Sequence, residues 1–380
     1  MKIGILTIHD SPNYGACLQC YGLWRFLVNE GYDCEVIDLH RPGAHLDYIP
    51  SQKFKASRIR KKSWLQKIKS YLRGKPNKDI SIYSNRLLKE RFSEFNSKIK
   101  QSRPYVSIDL LYQNPPEYNV YIAGSDQLWN PSQRYCIEPY FLTFVKDRSK
   151  KKISFSTSIG ITELTVSEKQ KFKTWLSDFD FISVREKQAK LLLESFVDRN
   201  IEQVADPTFL LPPDEWHKIA TFPKDGEKYL LYFALHMDAE ILQYCISLSK
   251  ESGLKLIVLN QRLSSREDAP YEVVNDAGPR EFLGYMANAE LVVTDSFHGT
   301  VFSMIMGAEN FYTYILKGNQ RGSRIEDLLE TFALSDHIFR TPFAKTFSQM
   351  NSSKPNREQV LDVMNKERLH SVELLSKALQ

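Results

Sequence analysis

The sequence predicts an α/β fold of two successive doubly wound domains facing a cleft. Short apolar runs alternate with amphipathic stretches of helical spacing. The alternation breaks at Leu211-Pro212-Pro213-Asp214 and then restarts. At 380 residues the chain is long enough for two cores.

The elements follow in order. Residues 2–7 read as a strand, 16–29 as an amphipathic helix and 34–39 as a second strand, a βαβ opening. Residues 82–95 read as a helix. Residues 119–123 form the next strand, followed by the turn Gly124-Ser125-Asp126-Gln127. Strands at 152–157, 181–184 and 201–204 are separated by helices at 167–178 and 186–195. The last of these strands ends in Ala205-Asp206-Pro207-Thr208, which reads as a structural turn. The second half repeats the pattern, with strands at 229–235, 255–259, 291–294 and 311–314. Its helices fall at 239–251, 279–288, 300–306 and 324–332. Residues 357–379 form one long amphipathic helix. The expected division is 1–211, 212–352, and a final helix in 353–380 that packs back on the first domain.

Composition narrows the class. Hydrophobic residues make up 42% and charged residues 26%, ordinary for a soluble globular chain. The start is too quickly polar for a signal peptide and no apolar run is long enough to span a bilayer. A cytoplasmic location is expected. Cys17 and Cys20 form a CxxC, but they share one apolar helix face with Leu23, Trp24 and Leu27, so both read as core. No second Cys or His cluster completes a metal site, and neither a metal nor a cofactor is expected. The turn after the first strand lacks GxGxxG, and no GxxxxGK[ST] follows any strand, which argues against dinucleotide and P-loop proteins.

Charge is uneven. Eleven basic residues lie between Lys53 and Lys78 with no acidic residue among them, although the whole chain is only +5. This segment is a basic insert, not the footprint of a nucleic-acid binder. Trp64, Leu65, Ile68, Tyr71 and Leu72 recur in it at helical spacing. It reads either as an amphipathic helix on the inner membrane face or as a solvated loop near the cleft.

The focus of the sequence is Thr294-Asp295-Ser296-Phe297-His298-Gly299-Thr300. It joins a buried strand to a helix, the place where open α/β sheets bind ligands. A helix start offers free N–H groups to an anion. An imidazole, a carboxylate and hydroxyls meet there. The plain alternative is that Asp295 or Ser296 only caps the helix.

The order of motifs resembles the polysaccharide pyruvyl transferase family over roughly residues 2–334. The carriers are Asn13-Tyr14-Gly15-Ala16-Cys17-Leu18-Gln19, Ala123-Gly124-Ser125-Asp126-Gln127-Leu128-Trp129-Asn130, Ser183-Val184-Arg185-Glu186-Lys187, Ala205-Asp206-Pro207-Thr208, the stretch 294–300 and Arg324-Ile325-Glu326-Asp327-Leu328-Leu329. The resemblance implies a GT-B-like pair of Rossmann-like domains. It also implies transfer of a pyruvyl group from phosphoenolpyruvate to two hydroxyls of a sugar, forming a ketal. The acceptor would be a cell-surface polysaccharide or its lipid-linked precursor. Better-known members carry an arginine where this chain has Ser296, so one anion contact must come from elsewhere, with Arg321 and Arg324 as candidates.

Read with that chemistry, His298 is the general acid, since an imidazole titrates near neutrality. Asp126 and Asp295 are the candidate bases. Arg185, directly after a strand, would clamp the donor's anion bidentately, or else make a surface ion pair. Ser296, Gly299 and Thr300 would complete the donor site. Asn13, Tyr14, Gly15, Gly124, Ser125 and Gln127 would face the acceptor, with Trp129 placed to stack on a sugar. For the turns at 13–15 and 124–126, helix capping and Asx-type turns are the plain alternatives. Two other functions share the cleft: a GT-B glycosyltransferase using a nucleotide sugar, and a non-catalytic protein that kept the fold.

Overall fold

The computed structural model describes residues 1–41, 85–133, 138–224, 226–264, 267–316, 322–340 and 343–380. The basic segment 53–78 and Arg321 lie outside the described residues.

Buried strands with little polar interruption form parallel sheets, because helices cover both faces. The first sheet holds β1 (Lys2–Leu6), β2 (Asp33–Val36), β3 (Val120–Ala123) and β4 (Lys151–Ser154), all parallel, in the order β2-β1-β3-β4. A parallel pair, β5 (Ser183–Val184) and β6 (Glu202–Gln203), extends it through bridges at Ile153–Phe181 and Thr157–Val184. The second sheet holds β7 (Tyr229–Phe233), β8 (Lys255–Leu259), β9 (Glu272–Val274), β10 (Ala289–Thr294), β11 (Phe311–Tyr314) and β12 (Ile338–Phe339). Its order is β12-β11-β10-β7-β8-β9, again all parallel. The architecture is GT-B-like: two Rossmann-like sheets, each with a crevice where its strand order reverses.

The helix Tyr14–Asn29 explains how the halves join. Asn13 caps it by accepting from Ala16 N at 3.1 Å. Nearly every residue of it is buried, including Cys17 and Cys20. A helix apolar all round must be covered all round. One face lies on the first sheet, and others meet residues 207–210 and the helix Pro279–Asn288. One apolar cluster therefore runs through both halves, from Ile3 and Leu23 through Phe209 and Trp216 to Phe282 and Phe302. Burial pushes the Cys17 thiol up to about 12, so it behaves as a small core residue.

Tyr14 corrects an expectation. It was a candidate for acceptor binding, but its ring is stacked on Phe282 at 4.4 Å and its hydroxyl donates to Ala277 O at 2.8 Å, so it meets the cleft only as part of the wall of a cavity it shares with Asn13 and Asn260. It belongs to the seam between the halves. The last helix, Arg357–Leu379, ties back to the segment after β6. Arg368 Nε donates to Leu210 O, and Ser371 Oγ accepts from Ala205 N, both at 2.9 Å. Among the described residues no helix is long and apolar enough to cross a membrane.

Two differences from the sequence reading matter for the site. The helix expected from residue 300 begins at Phe297, because Ser296 caps it. His298 is thus in its first turn. The Pro-Pro break at 212–213 also starts a helix, Pro213–Ile219, since proline suits the first helical position.

The seam assignment of Tyr14 is testable. Tyr14→Ala should cost about 3 kcal/mol through the lost aromatic packing, read as a lower urea midpoint. Tyr14→Phe keeps the stacking and should cost about 1 kcal/mol. Equal losses in the two variants would mean that the ring's packing is not what holds the seam.

Candidate active site

The two crevices face each other. In the first sheet, β1 and β3 end at Thr7 and Gly124. Thr7 Oγ1 donates to Ser125 O at 3.0 Å, and any side chain at Gly124 would meet Thr7 Cβ at 2.9 Å. Gly124 is therefore required for the strand ends to approach. Asp126 follows with φ 73°, a left-handed conformation uncommon outside glycine and asparagine. Its Oδ1 accepts from Gln127 N at 2.8 Å.

In the second sheet the crevice lies between β7 and β10, and Asp295 bridges it. Its Oδ1 accepts from Leu235 N at 2.7 Å and its Oδ2 from His236 N at 3.1 Å. Both oxygens hold backbone, so Asp295 fastens two strand ends while it lines the same cavity as His298 and Asp126. Ser296 and Thr300 also bond within the protein. Ser296 Oγ accepts from Gly299 N at 3.2 Å as the helix cap. Thr300 is fully buried, donates to Ser296 O at 3.0 Å and pairs with Thr313 Oγ1 at 2.6 Å. The Thr300 hydroxyl is thus committed within the protein, whereas Ser296 caps the helix and still lines the cavity with His298. A side chain at Gly299 would meet Thr294 Oγ1 at 2.4 Å, so that glycine serves packing.

Arg185 differs most from its expected role. Its side chain is 3% exposed. Nη1 donates to Asp206 Oδ2 at 2.5 Å and Nε to Glu186 Oε1 at 3.1 Å, while the guanidinium lies 4.1 Å from the centre of the Phe297 ring. Burial disfavours its charge, but Glu186 and Asp206 more than restore it, so its pKa is raised. It is the centre of a buried charge cluster, not a clamp at the cleft edge. Trp129 is also corrected. It is wholly buried, stacks on Phe141 at 5.1 Å and donates from Nε1 to Tyr140 O at 3.0 Å, so no face of it meets a sugar.

Asp206, read from sequence as part of a turn, is the residue that gathers the site. It is 1% exposed. Oδ2 accepts from Arg185 and from Ser125 Oγ at 3.2 Å, and lies 3.4 Å from His298 Nε2. Oδ1 accepts from Thr208 N at 3.1 Å and Thr208 Oγ1 at 2.8 Å. Burial opposes its ionisation, but His298 and Arg185 outweigh that and hold the carboxyl well below the usual range. Ser125 thus faces Asp206 rather than an acceptor. The sequence signal was a carboxylate directly after a strand; Pro207 beside it suggested only a turn.

His298, Asp126, Asn13 and Arg324 line a cavity of 130 Å³ between the two crevices. With its amide oxygen facing Arg324, Gln127 accepts from both terminal guanidinium nitrogens at 3.0 and 3.1 Å. Arg324 also lies 5.8 Å from the Phe297 ring centre, on a ring that Arg185 covers as well. Gly15 packs against the imidazole: a side chain there would come within 2.1 Å of His298 Nδ1. The cavity adjoins one of 240 Å³, with which it shares Asn13 and Leu235. That one shares Ser11 and Pro12 with the largest, 570 Å³, at His9, Asp38 and Lys89. The smallest of the three is the candidate reaction site, because the imidazole and the cation converge there.

Comparisons with known proteins agree with this architecture. A family model described as polysaccharide pyruvyl transferase matches residues 13–313. No curated protein matches significantly. Among solved structures, the UDP-N-acetylglucosamine 2-epimerase from Rickettsia bellii is similar at a TM-score of 0.50 and 13% identity, covering 100% of this chain and 96% of that one. The calicheamicin glycosyltransferase CalG4 gives 0.49 and 12%, with coverage of 99% and 96%. The kitacinnamycin glycosyltransferase gives 0.49 and 11%, with 99% and 97%. At 13% identity the likeness to the epimerase is one of fold alone.

The charge cluster makes a prediction about stability. A depressed carboxyl pKa contributes stability that is complete above the unfolded value of about 4 and fades as pH falls below it. Asp206→Ala should cost about 3 kcal/mol at neutral pH, since Arg185 loses a buried partner. The gap to wild type should close in acid. A gap undiminished through the acid range would contradict the ion-pair account.

Proposed function

We propose, since this chain belongs to the polysaccharide pyruvyl transferase family, that it moves a pyruvyl group from phosphoenolpyruvate to a saccharide and closes a ketal on two of its hydroxyls. The acceptor class that accompanies this reading is a cell-surface polysaccharide or its lipid-linked precursor. The division of labour that it uses runs 1–211 for the acceptor, 212–352 for the donor and 353–380 for the closing helix.

The observation that carries the reading is the convergence of His298, Asp126 and Arg324 on one small cavity between the two crevices. Phosphoenolpyruvate needs a cation for its anionic groups, an acid for its methylene carbon and a base for the attacking hydroxyl. Arg324 supplies the first, which also accounts for an anion site without an arginine at Ser296. His298 gives its proton to the methylene carbon, and the adjacent carbon becomes an oxocarbenium-like centre. Asp126 draws the proton from the first hydroxyl as its oxygen bonds to that centre. The C–O bond to phosphate then breaks with its electrons, and the second hydroxyl closes the ring. Of the two hydroxyl protons, one restores the imidazole and the other leaves with phosphate. The adjoining cavities of 240 and 570 Å³ give room for an acceptor longer than one sugar.

Ligand-induced thermal shift tests the donor. Phosphoenolpyruvate should raise the melting temperature and nucleotide sugars should not; the reverse pattern would favour a glycosyltransferase. His298→Ala should lower turnover by ~10²–10⁴ with the fold intact. His298→Gln should not restore it, because an amide cannot deliver a proton. Turnover unchanged in either variant would remove His298 from the reaction.

A further inference from the structure

The two nitrogens of His298 stand in different surroundings. Nε2 is buried and faces Asp206 Oδ2 at 3.4 Å. Distances of this kind run long without a ligand and tighten when one binds. The other edge of the ring lies over Gly15 at the start of the helix Tyr14–Asn29, and the side chain lines the 130 Å³ cavity. A carboxylate on one ring nitrogen fixes the tautomer and leaves the other nitrogen for chemistry.

We propose that Asp206 is a positioning residue that holds the Nε2–H of His298, so that the proton exchanged with the ligand is carried on Nδ1. This rests on the pyruvyl-transfer reading only for the identity of that ligand. The balance is simple. The imidazolium carries a proton on each nitrogen; the Nδ1 proton passes to the ligand, and the neutral ring that remains keeps its Nε2 proton against Asp206. A proton taken up later returns to Nδ1.

Four features of the structure favour this arrangement. Asp206 cannot turn away, because Arg185, Ser125 and Thr208 donate to it from three directions. The buried trio of Arg185, Glu186 and Asp206 carries one net negative charge, which a protonated ring neutralises. Of the other charged and titratable groups near the ring, Asp126, Asp295 and His236 line the cavity, while Arg324 lines both the cavity and the pocket beside Asp206. Gly15 completes the arrangement, since any side chain there would lie within 2.1 Å of Nδ1 and cover the working edge.

The test needs no substrate. Long-range proton–nitrogen NMR on full-length protein labelled at histidine distinguishes the two neutral tautomers, and His298→Gln assigns the signal. The wild-type neutral ring should carry its proton on Nε2. A ring that carries it on Nδ1 overturns the proposal, whatever the variants do. In Asp206→Ala the Nε2–H population should fall from nearly complete toward that of a solvent-exposed histidine; a population unchanged from wild type shows that Asp206 does not set it and also overturns the proposal. Where turnover is measurable, Asp206→Asn should lower kcat by about 10²-fold or more with the donor KM within about twofold. An unchanged kcat would contradict the positioning role. Wild-type protein inactive with phosphoenolpyruvate would sink the pyruvyl-transfer reading, while the spectrum would still decide the tautomer.

Discussion

A carboxylate shut away from water organises this molecule. Asp206 meets Ser125 from the end of β3, Arg185 from the end of β5 and His298 from the turn after β10. It therefore touches both sheets. A buried carboxylate alone would protonate or draw water in. Here a guanidinium, two hydroxyls and a backbone N–H satisfy it, and the site inherits their rigidity. Such a cluster gains little net stability over apolar packing, but removing one member leaves a buried charge without its partner. The geometry is thus held more by the cost of breaking it than by the benefit of forming it.

Apolar packing does the rest. The helix Tyr14–Asn29 is buried on nearly every face, and its first turn brings Gly15 onto the His298 ring. Tyr14, beside it, locks the same turn against Phe282. The position of the imidazole is consequently set by residues far apart in sequence. Of what remains open between the halves, the cavity of 130 Å³ has polar walls where His298, Asp126 and Arg324 meet. Ser296 stands in that wall too, where it starts the helix that carries His298.

Much of this was legible from the residues. Strand-end turns mark ligand sites in parallel sheets, so His298 and Asp126 could be picked out without coordinates. The alternating apolar runs likewise marked most strands along the chain, but not Glu272–Val274 and Ile338–Phe339, which are short and form the two edges of the second sheet. What could not be read was pairing across the chain. Arg185 follows its strand as expected, but nothing near it in sequence says that Asp206, just past the neighbouring strand β6, meets it. Pro207 drew attention to a turn and away from the carboxylate beside it. Trp129 looked like a surface aromatic because it follows a turn. Its partners Tyr140 and Phe141 sit in a short 3₁₀ helix, Glu138–Phe141, that has no apolar period to reveal it. Asp295 has the composition of a base, and only the coordinates show both of its oxygens accepting from Leu235 and His236.

The central claim is chemical: a pyruvyl group changes hands in the cavity beside His298. The most direct measurement is the mass of a defined oligosaccharide acceptor after incubation with the protein and phosphoenolpyruvate. The account predicts the gain of one pyruvyl unit, lost again on mild acid treatment as a ketal would be, with one phosphate released for each unit gained. An acceptor unchanged in mass, or phosphate released without a matching gain, would contradict it.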